Sequence, residues 1–176
     1  MKYDRLQLGL ALILIVLGIS LRLLPHPANF APIAAIAIYG GVVLPRRLAL
    51  WVPVGAMVLS DMVIGFYDIM PVTWACYALI AFVASRLLQR PKIVQGTLLT
   101  CSASLLFFVV TNFAVWLRSG MYAHSWAGLA DCYAMALPFF RNTLMSDLLY
   151  TGLLFGVTGL VTRTVRSRTM AMGVAA

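Results

Sequence analysis

The chain contains no glutamate, and its five aspartates are scattered over 176 residues, so acidic clusters for carboxylate metal sites are missing. Its three cysteines, Cys76, Cys101 and Cys132, are odd in number and lack a C-x-x-C spacing, which implies neither a disulfide framework nor a thiolate metal site. The two histidines, His26 and His124, are too far apart in sequence to form a local metal motif, and they read as solvated loop residues. Gly-x-Ser-x-Gly, His-Glu-x-x-His, a phosphate loop and zinc spacings are all absent. The Asp-rich signature of lipid-headgroup phosphotransferases is missing too. Asp147 stands in Met-Ser-Asp-Leu, without the Gly-x-Gly-Asp of intramembrane aspartyl proteases. The chain is therefore read as a non-enzyme with no cofactor.

What is present is hydrophobic. Apolar residues make up 62% of the chain and charged ones 10%, a composition whose solvent is mostly lipid. Six apolar stretches lie at 6–24, 29–45, 48–66, 71–88, 93–117 and 138–162, most of them long enough to cross ~30 Å of hydrocarbon. They predict an all-α membrane protein, a six-helix transmembrane bundle forming a single domain over residues 1–176. The first stretch follows Met1-Lys2-Tyr3-Asp4-Arg5 as a signal peptide would, but no clean cleavage site follows, so it is read as the first span.

The basic residues orient the bundle. Lys2, Arg5, Arg46, Arg47, Arg86, Arg90, Lys92, Arg163, Arg166 and Arg168 share one side, against Arg22, Arg118 and Arg141 on the other. Under the positive-inside rule both termini are cytoplasmic. The net charge of +8 is thereby assigned to anionic membrane lipid rather than to nucleic acid.

Two connections on the outer side are distinctive. Leu24 to Pro32 carries Pro25, Pro27 and Pro32, which prevent a regular helix and favour an extended segment. The helix that follows has a clearly apolar part, Ile33 to Leu44, of only about 18 Å, so it must recruit its flanks or sit within the bundle. Gly40-Gly41 opens space there for a close neighbour. Ala127 to Leu137 is too short to span and reads as a short outer interfacial helix, with Pro138 ending it and beginning the sixth span.

An ionised carboxylate inside a span costs at least ~2.5 kcal/mol, so Asp61 and Asp147 default to functional candidates. Asp147 shares a face with Thr143, Tyr150, Thr151 and Thr158, a polar stripe that would be wasted against lipid. Asn112 and Trp116 form an i, i+4 pair, and Tyr133, Arg141 and Asn142 come from the outer segment and the start of the sixth span. With Asn29 they place amide, carboxylate, guanidinium and aromatic groups at one level, predicting a substrate pocket open to the outside. The competing structural reading is that these groups tie helices together and form an interfacial belt. Arg22 is read as snorkelling to the headgroups, with pairing to Asp61 or Asp147 as the alternative. Leu59-Ser60-Asp61 resembles Met145-Ser146-Asp147, an echo too brief to establish a duplication.

The run Leu23-Leu24-Pro25-His26-Pro27-Ala28-Asn29-Phe30-Ala31-Pro32-Ile33, followed by Gly40-Gly41, resembles a family of uncharacterised bacterial inner-membrane proteins grouped as candidate transport proteins. The likeness continues through Leu59-Ser60-Asp61, Thr111-Asn112-Phe113-Ala114-Val115-Trp116-Leu117, Gly128-Leu129 to Cys132-Tyr133, and Pro138-Phe139-Phe140-Arg141-Asn142-Thr143 with Asp147. That family is similar in turn to the S components of energy-coupling factor (ECF) importers. The resemblance implies an S-component-like fold that captures a vitamin-like small molecule from outside, under a first connection that covers it. It also implies a transmembrane coupling subunit with two ATPases as partners. S components often carry Ala-x-x-x-Ala on the first helix for docking, whereas here Gly9, Ala11 and Gly18 are scattered, and Ala31 and Ala35 have the spacing on the second. The rival readings are a self-contained proton-coupled secondary transporter and a non-transporting membrane scaffold.

Overall fold

The computed structural model describes residues 4–88 and 92–174, with side chains to Ser167. Lys2 and Arg90, and the side chain of Arg168, lie outside the described residues. Six helices follow one another: α1 Arg5–Leu23, α2 Ile33–Val43, α3 Arg46–Ile64, α4 Met70–Leu87, α5 Ile93–Arg118 and α6 Trp126–Val174. There is no strand among the described residues. All but α2 are long and apolar enough to cross a membrane.

The α1 helix starts on a capping box, in which the Asp4 carboxylate accepts from the Leu6 N–H and the Gln7 side chain accepts from the Asp4 N–H at 3.3 Å. It buries only Ala11, Leu14 and Gly18, a stripe at i, i+3 and i+7, and leaves Leu12, Ile13 and Val16 facing outward. Small residues on that stripe let backbones approach: a Cβ at Gly18 would stand 3.1 Å from that of Ala56 on α3.

The short helix sits within the bundle. α2 contacts all five other helices and buries nine of its eleven residues, Ile33 to Gly41. At 1.5 Å per residue it is about 16 Å long, so the expected span 29–45 is helical only over its middle. Residues 29–32 belong to the proline-rich connection. Gly41 makes the closest approach, since a Cβ there would stand 2.7 Å from the Ala81 carbonyl oxygen and 2.7 Å from the Ala84 Cβ on α4. Gly40 has no such neighbour, its nearest atom being 3.7 Å away.

The expectation that Pro138 separates an interfacial helix from the sixth span is corrected. One helix runs from Trp126 to Val174 with Pro138 inside it. Proline removes one backbone hydrogen bond and crowds the preceding turn, which favours a bend, but tertiary ties hold both sides of it in the helix. Below the proline, Gly96, Thr100 and Ser104 of α5 meet Phe155, Thr151 and Asp147 in step, every four residues. Above it, the Tyr133 hydroxyl donates to the Val109 carbonyl at 2.7 Å. A step of five residues along α5, from Ser104 to Val109, thus answers a step of fourteen along α6, from Asp147 to Tyr133. The upper part of α6 therefore takes a longer path than α5 between these two ties, with Phe140 packed on Phe108 within it. At its other end α6 outruns the bundle: Thr158 still bonds Tyr39 at 2.6 Å, while the side chains from Gly159 to Ser167 are exposed.

Candidate binding site

A cavity of about 470 Å³ lies at the bundle end formed by the connections 24–32 and 65–69 and by the upper parts of α5 and α6. Its walls are largely aromatic, with Phe107 and Phe108 from α5, Phe139 and Phe140 from α6, Tyr77 from α4 and Tyr67 from the α3–α4 connection. Tyr77 stacks on Phe107 at 4.9 Å between centroids, and Phe108 meets Phe140 at 4.7 Å. Polar groups punctuate these walls: Arg22, His26, Asn29, Thr73, Thr111, Asn112 and Thr143.

Of the eight residues singled out from the sequence, Asn29 and Asn112 line the cavity. Asn29 stands at its rim with φ of 61°, a left-handed conformation that asparagine tolerates better than most side chains. The Asn112 amide donates to the Phe108 carbonyl at 2.7 Å.

The others surround it without lining it. Asp61 is fully buried, with one oxygen 2.7 Å from an Arg22 nitrogen and the other accepting from the Trp74 indole at 2.8 Å. Asn142 donates to the Ala28 carbonyl at 3.0 Å, tethering the proline-rich connection to α6. The Trp116 indole donates to the Ala123 carbonyl at 2.9 Å and packs on His124, which pins the connection before α6. Tyr133 ties α6 to α5. For Trp116, Tyr133 and Asn142 the helix-tying reading describes their contacts.

The expectation that Asp147, Asn112 and Arg141 share one cavity is corrected. Arg141 is exposed, because two residues along a helix from the inward Thr143 is about 200° around it. Asp147 is buried one turn below Thr143, where the Ser104 hydroxyl donates to it at 2.7 Å. Thr143, Asp147 and Thr151 do form a buried stripe, with Thr151 bonded to Thr100 at 2.8 Å. The Ser146 hydroxyl beside Asp147 is buried without a hydrogen-bond partner. The two Ser-Asp echoes are thus both buried but differ in partner: Asp61 has an arginine and an indole, Asp147 a hydroxyl.

For Arg22 the structure shows the alternative reading, pairing with Asp61, in place of snorkelling. Rather than reaching headgroups it turns inward, with its side chain 14% exposed. It donates to Asp61, to the Met57 carbonyl at 3.3 Å and to Ser60. A guanidinium offers several donors in a fixed fork and suits this shared arrangement better than lysine would. Arg22 lies at the end of the first helix and Asp61 near the end of the third, so an up-down topology brings both to the same end of the bundle. His26, read as a solvated loop residue, is exposed but lines the rim, its ring nitrogens 2.8 Å and 3.1 Å from the Pro27 and Arg22 carbonyl oxygens. Tyr67 was not singled out either. Burial pushes its phenol above the ordinary range, against the smaller opposing effect of its bond to Thr73.

The electrostatic character of the cavity follows. Arg22 is the only lining residue with a permanent charge among the described residues, and Asp61 neutralises it from behind. What remains is an aromatic chamber with hydroxyl and amide edges.

No curated protein and no solved structure matches the chain. The profile of one family, described as "Family of unknown function (DUF6580)", matches residues 2–170, and the chain belongs to that family.

Proposed function

We propose that this DUF6580 member is the substrate-binding membrane subunit of a micronutrient importer, taking a vitamin-like small molecule from the outer side and working with a separate ATP-driven coupling module. In this reading the protein resides in a bacterial inner membrane with both termini cytoplasmic. The observation that carries it is the cavity of about 470 Å³, which lies at the end poor in basic residues and beneath the connection 24–32. That volume is within the usual range for small-molecule sites. A scaffold would have no use for such a chamber.

The docking surface on the coupling subunit differs from the S-component pattern. Ala35 is wholly buried in α2, and Ala11 and Gly18 are buried on α1 with Gly18 against Ala56 of α3, so of Gly9, Ala11 and Gly18 on the first helix only Gly9 is open. A second reading, the self-contained proton-coupled transporter, is favoured by one feature: Asp147 is buried mid-span with a hydroxyl as its partner.

The test has two stages. Purified protein is titrated with a panel of vitamins and precursors, with saturable one-to-one binding expected for one of them. The same protein alone in liposomes is then expected to show no accumulation under an imposed pH gradient. Accumulation without ATP or another protein would replace the importer-subunit reading with the proton-coupled one, and no binding across the panel would remove both.

A further inference from the structure

The direction of each hydrogen bond in the cavity wall restricts what can occupy it. Thr111 and Thr143 donate to the carbonyls of Phe107 and Phe139, at 2.7 Å and 3.0 Å, one turn back on their own helices. Because a carbonyl can only accept, the Asn112 group 2.7 Å from the Phe108 oxygen must be the N–H end of its amide, which leaves its oxygen unbound. Thr73 donates to the Met70 carbonyl at 2.8 Å, so the Tyr67 hydroxyl 2.9 Å away must donate to Thr73. Each of the four hydroxyls among these five side chains has therefore turned its one donor into the protein and offers lone pairs, while Asn112 keeps its oxygen and a second N–H.

These acceptors come from α4, α5, α6 and the connection 65–69, so they surround the space rather than form a local patch. Donors are left at the Tyr77 hydroxyl, at the second Asn112 N–H, at Arg22, three of whose hydrogen-bonding directions are already taken, and at the rim Asn29, fewer than the acceptor oxygens around them. Between these polar edges stand the phenylalanine faces, which favour a flat ring in stacked or edge-on contact. The Arg22–Asp61 pair at 2.7 Å leaves no net charge for an anion to neutralise. An anionic ligand would have to compete with Asp61 for the guanidinium while facing acceptor oxygens elsewhere.

We infer that the cavity takes an uncharged, flat heteroaromatic molecule carrying N–H donors, such as ring amino groups, whose opposite edge presents an acceptor to Arg22. This rests on the receptor reading above and adds the substrate class to it. The N–H groups would be received by Thr111, Asn112 and Thr143, and the ring would lie among the phenylalanines.

Full-length protein in nanodiscs is titrated calorimetrically with three probes: a diaminopteridine, its bis(dimethylamino) analogue without N–H donors, and the same diamino ring carrying a carboxylate. The diamino ring is expected to bind saturably, and about tenfold more tightly than the dimethylated one, the scale of a lost hydrogen bond or two. The carboxylate is expected to weaken binding. Asn112→Leu should erase most of the difference between the first two probes, and Thr111→Val, which keeps the side-chain shape, should reduce it should the first variant fail to fold. Equal binding of the first two probes, or tighter binding of the carboxylate, overturns the inference. If no probe binds while a member of the vitamin panel does, the donor-rich class falls and the receptor reading stands. If nothing in either set binds, both fall.

Discussion

Arg22 and Asp61 show how much one ion pair depends on its location. Asp61 is wholly buried and Arg22 nearly so, and a buried pair of this kind contributes little net stability but leaves a costly charge when one partner is removed. Arg22→Leu is therefore expected to cost about 3–5 kcal/mol. Adding Asp61→Leu to it should recover much of that loss, because no charge is then left unpaired. Thermal unfolding in detergent across the two single variants and the double variant reads this directly. A double variant less stable than either single one would mean that the pair itself holds α1 to α3.

The same residue scale separates two glycines that look equivalent in sequence. A methyl at Gly41 would meet the Ala81 carbonyl oxygen at 2.7 Å, a backbone atom that cannot rotate aside, whereas Gly40 has ordinary van der Waals room at 3.7 Å. Overpacking of this kind costs about 1–3 kcal/mol. Gly41→Ala is thus expected to lower the unfolding temperature, and Gly40→Ala to leave it unchanged or raise it, since alanine is the better helix former. Equal effects at the two positions would contradict the close α2–α4 approach.

At the scale of the element, α6 is the decisive one. Its long course carries both the residues that tie it to α5 at Asp147 and Thr151 and, above them, the Phe139, Phe140 and Thr143 that wall the cavity. Pro138→Ala restores a backbone donor and removes the crowding that favours the bend. We expect that variant to be at least as stable as the parent but to hold α6 closer to α5 near Phe140. Spin labels on the two helices above the proline would report the shortened distance, and an unchanged distance would show that packing alone sets the bend. Asn142, which bonds Ala28 at 3.0 Å, couples the same element to the proline-rich connection, so the bend also positions the cover of the site.

At the scale of the whole molecule, the asymmetry of charge remains the main guide to orientation. Arg5, Arg46, Arg47, Arg86, Lys92, Arg163 and Arg166 lie at helix ends or connections opposite the cavity. In the orientation proposed above, with the basic end cytoplasmic by the positive-inside rule, the cavity opens outside. A membrane-impermeant thiol reagent applied to intact cells is expected to label Ser125→Cys and to spare Ser167→Cys. The reverse pattern would invert the protein in its membrane and place the cavity at the cytoplasmic face.

What the sequence by itself determined is what depends on local composition and spacing. Apolar runs bounded by proline and arginine located the helices, often to within a few residues, because a span must be apolar along its length whatever its neighbours do. The shortness of Ile33 to Leu44 left α2 either to recruit its flanks or to sit within the bundle, of which the structure shows the second, and the Thr143, Asp147 and Thr151 spacing put that stripe on a buried face. Tertiary structure alone decided which polar groups meet. Arg22 turns inward because Asp61, Ser60 and the Met57 carbonyl converge on it, and Trp116 and Tyr133 are held by backbone carbonyls distant in sequence. Pro138 carries a stop signal, yet the helix continues because contacts on both sides outweigh one missing hydrogen bond. The cavity is likewise invisible to periodicity: its walls come from several helices and two connections, and relative helix position is set by side chains far apart in the chain.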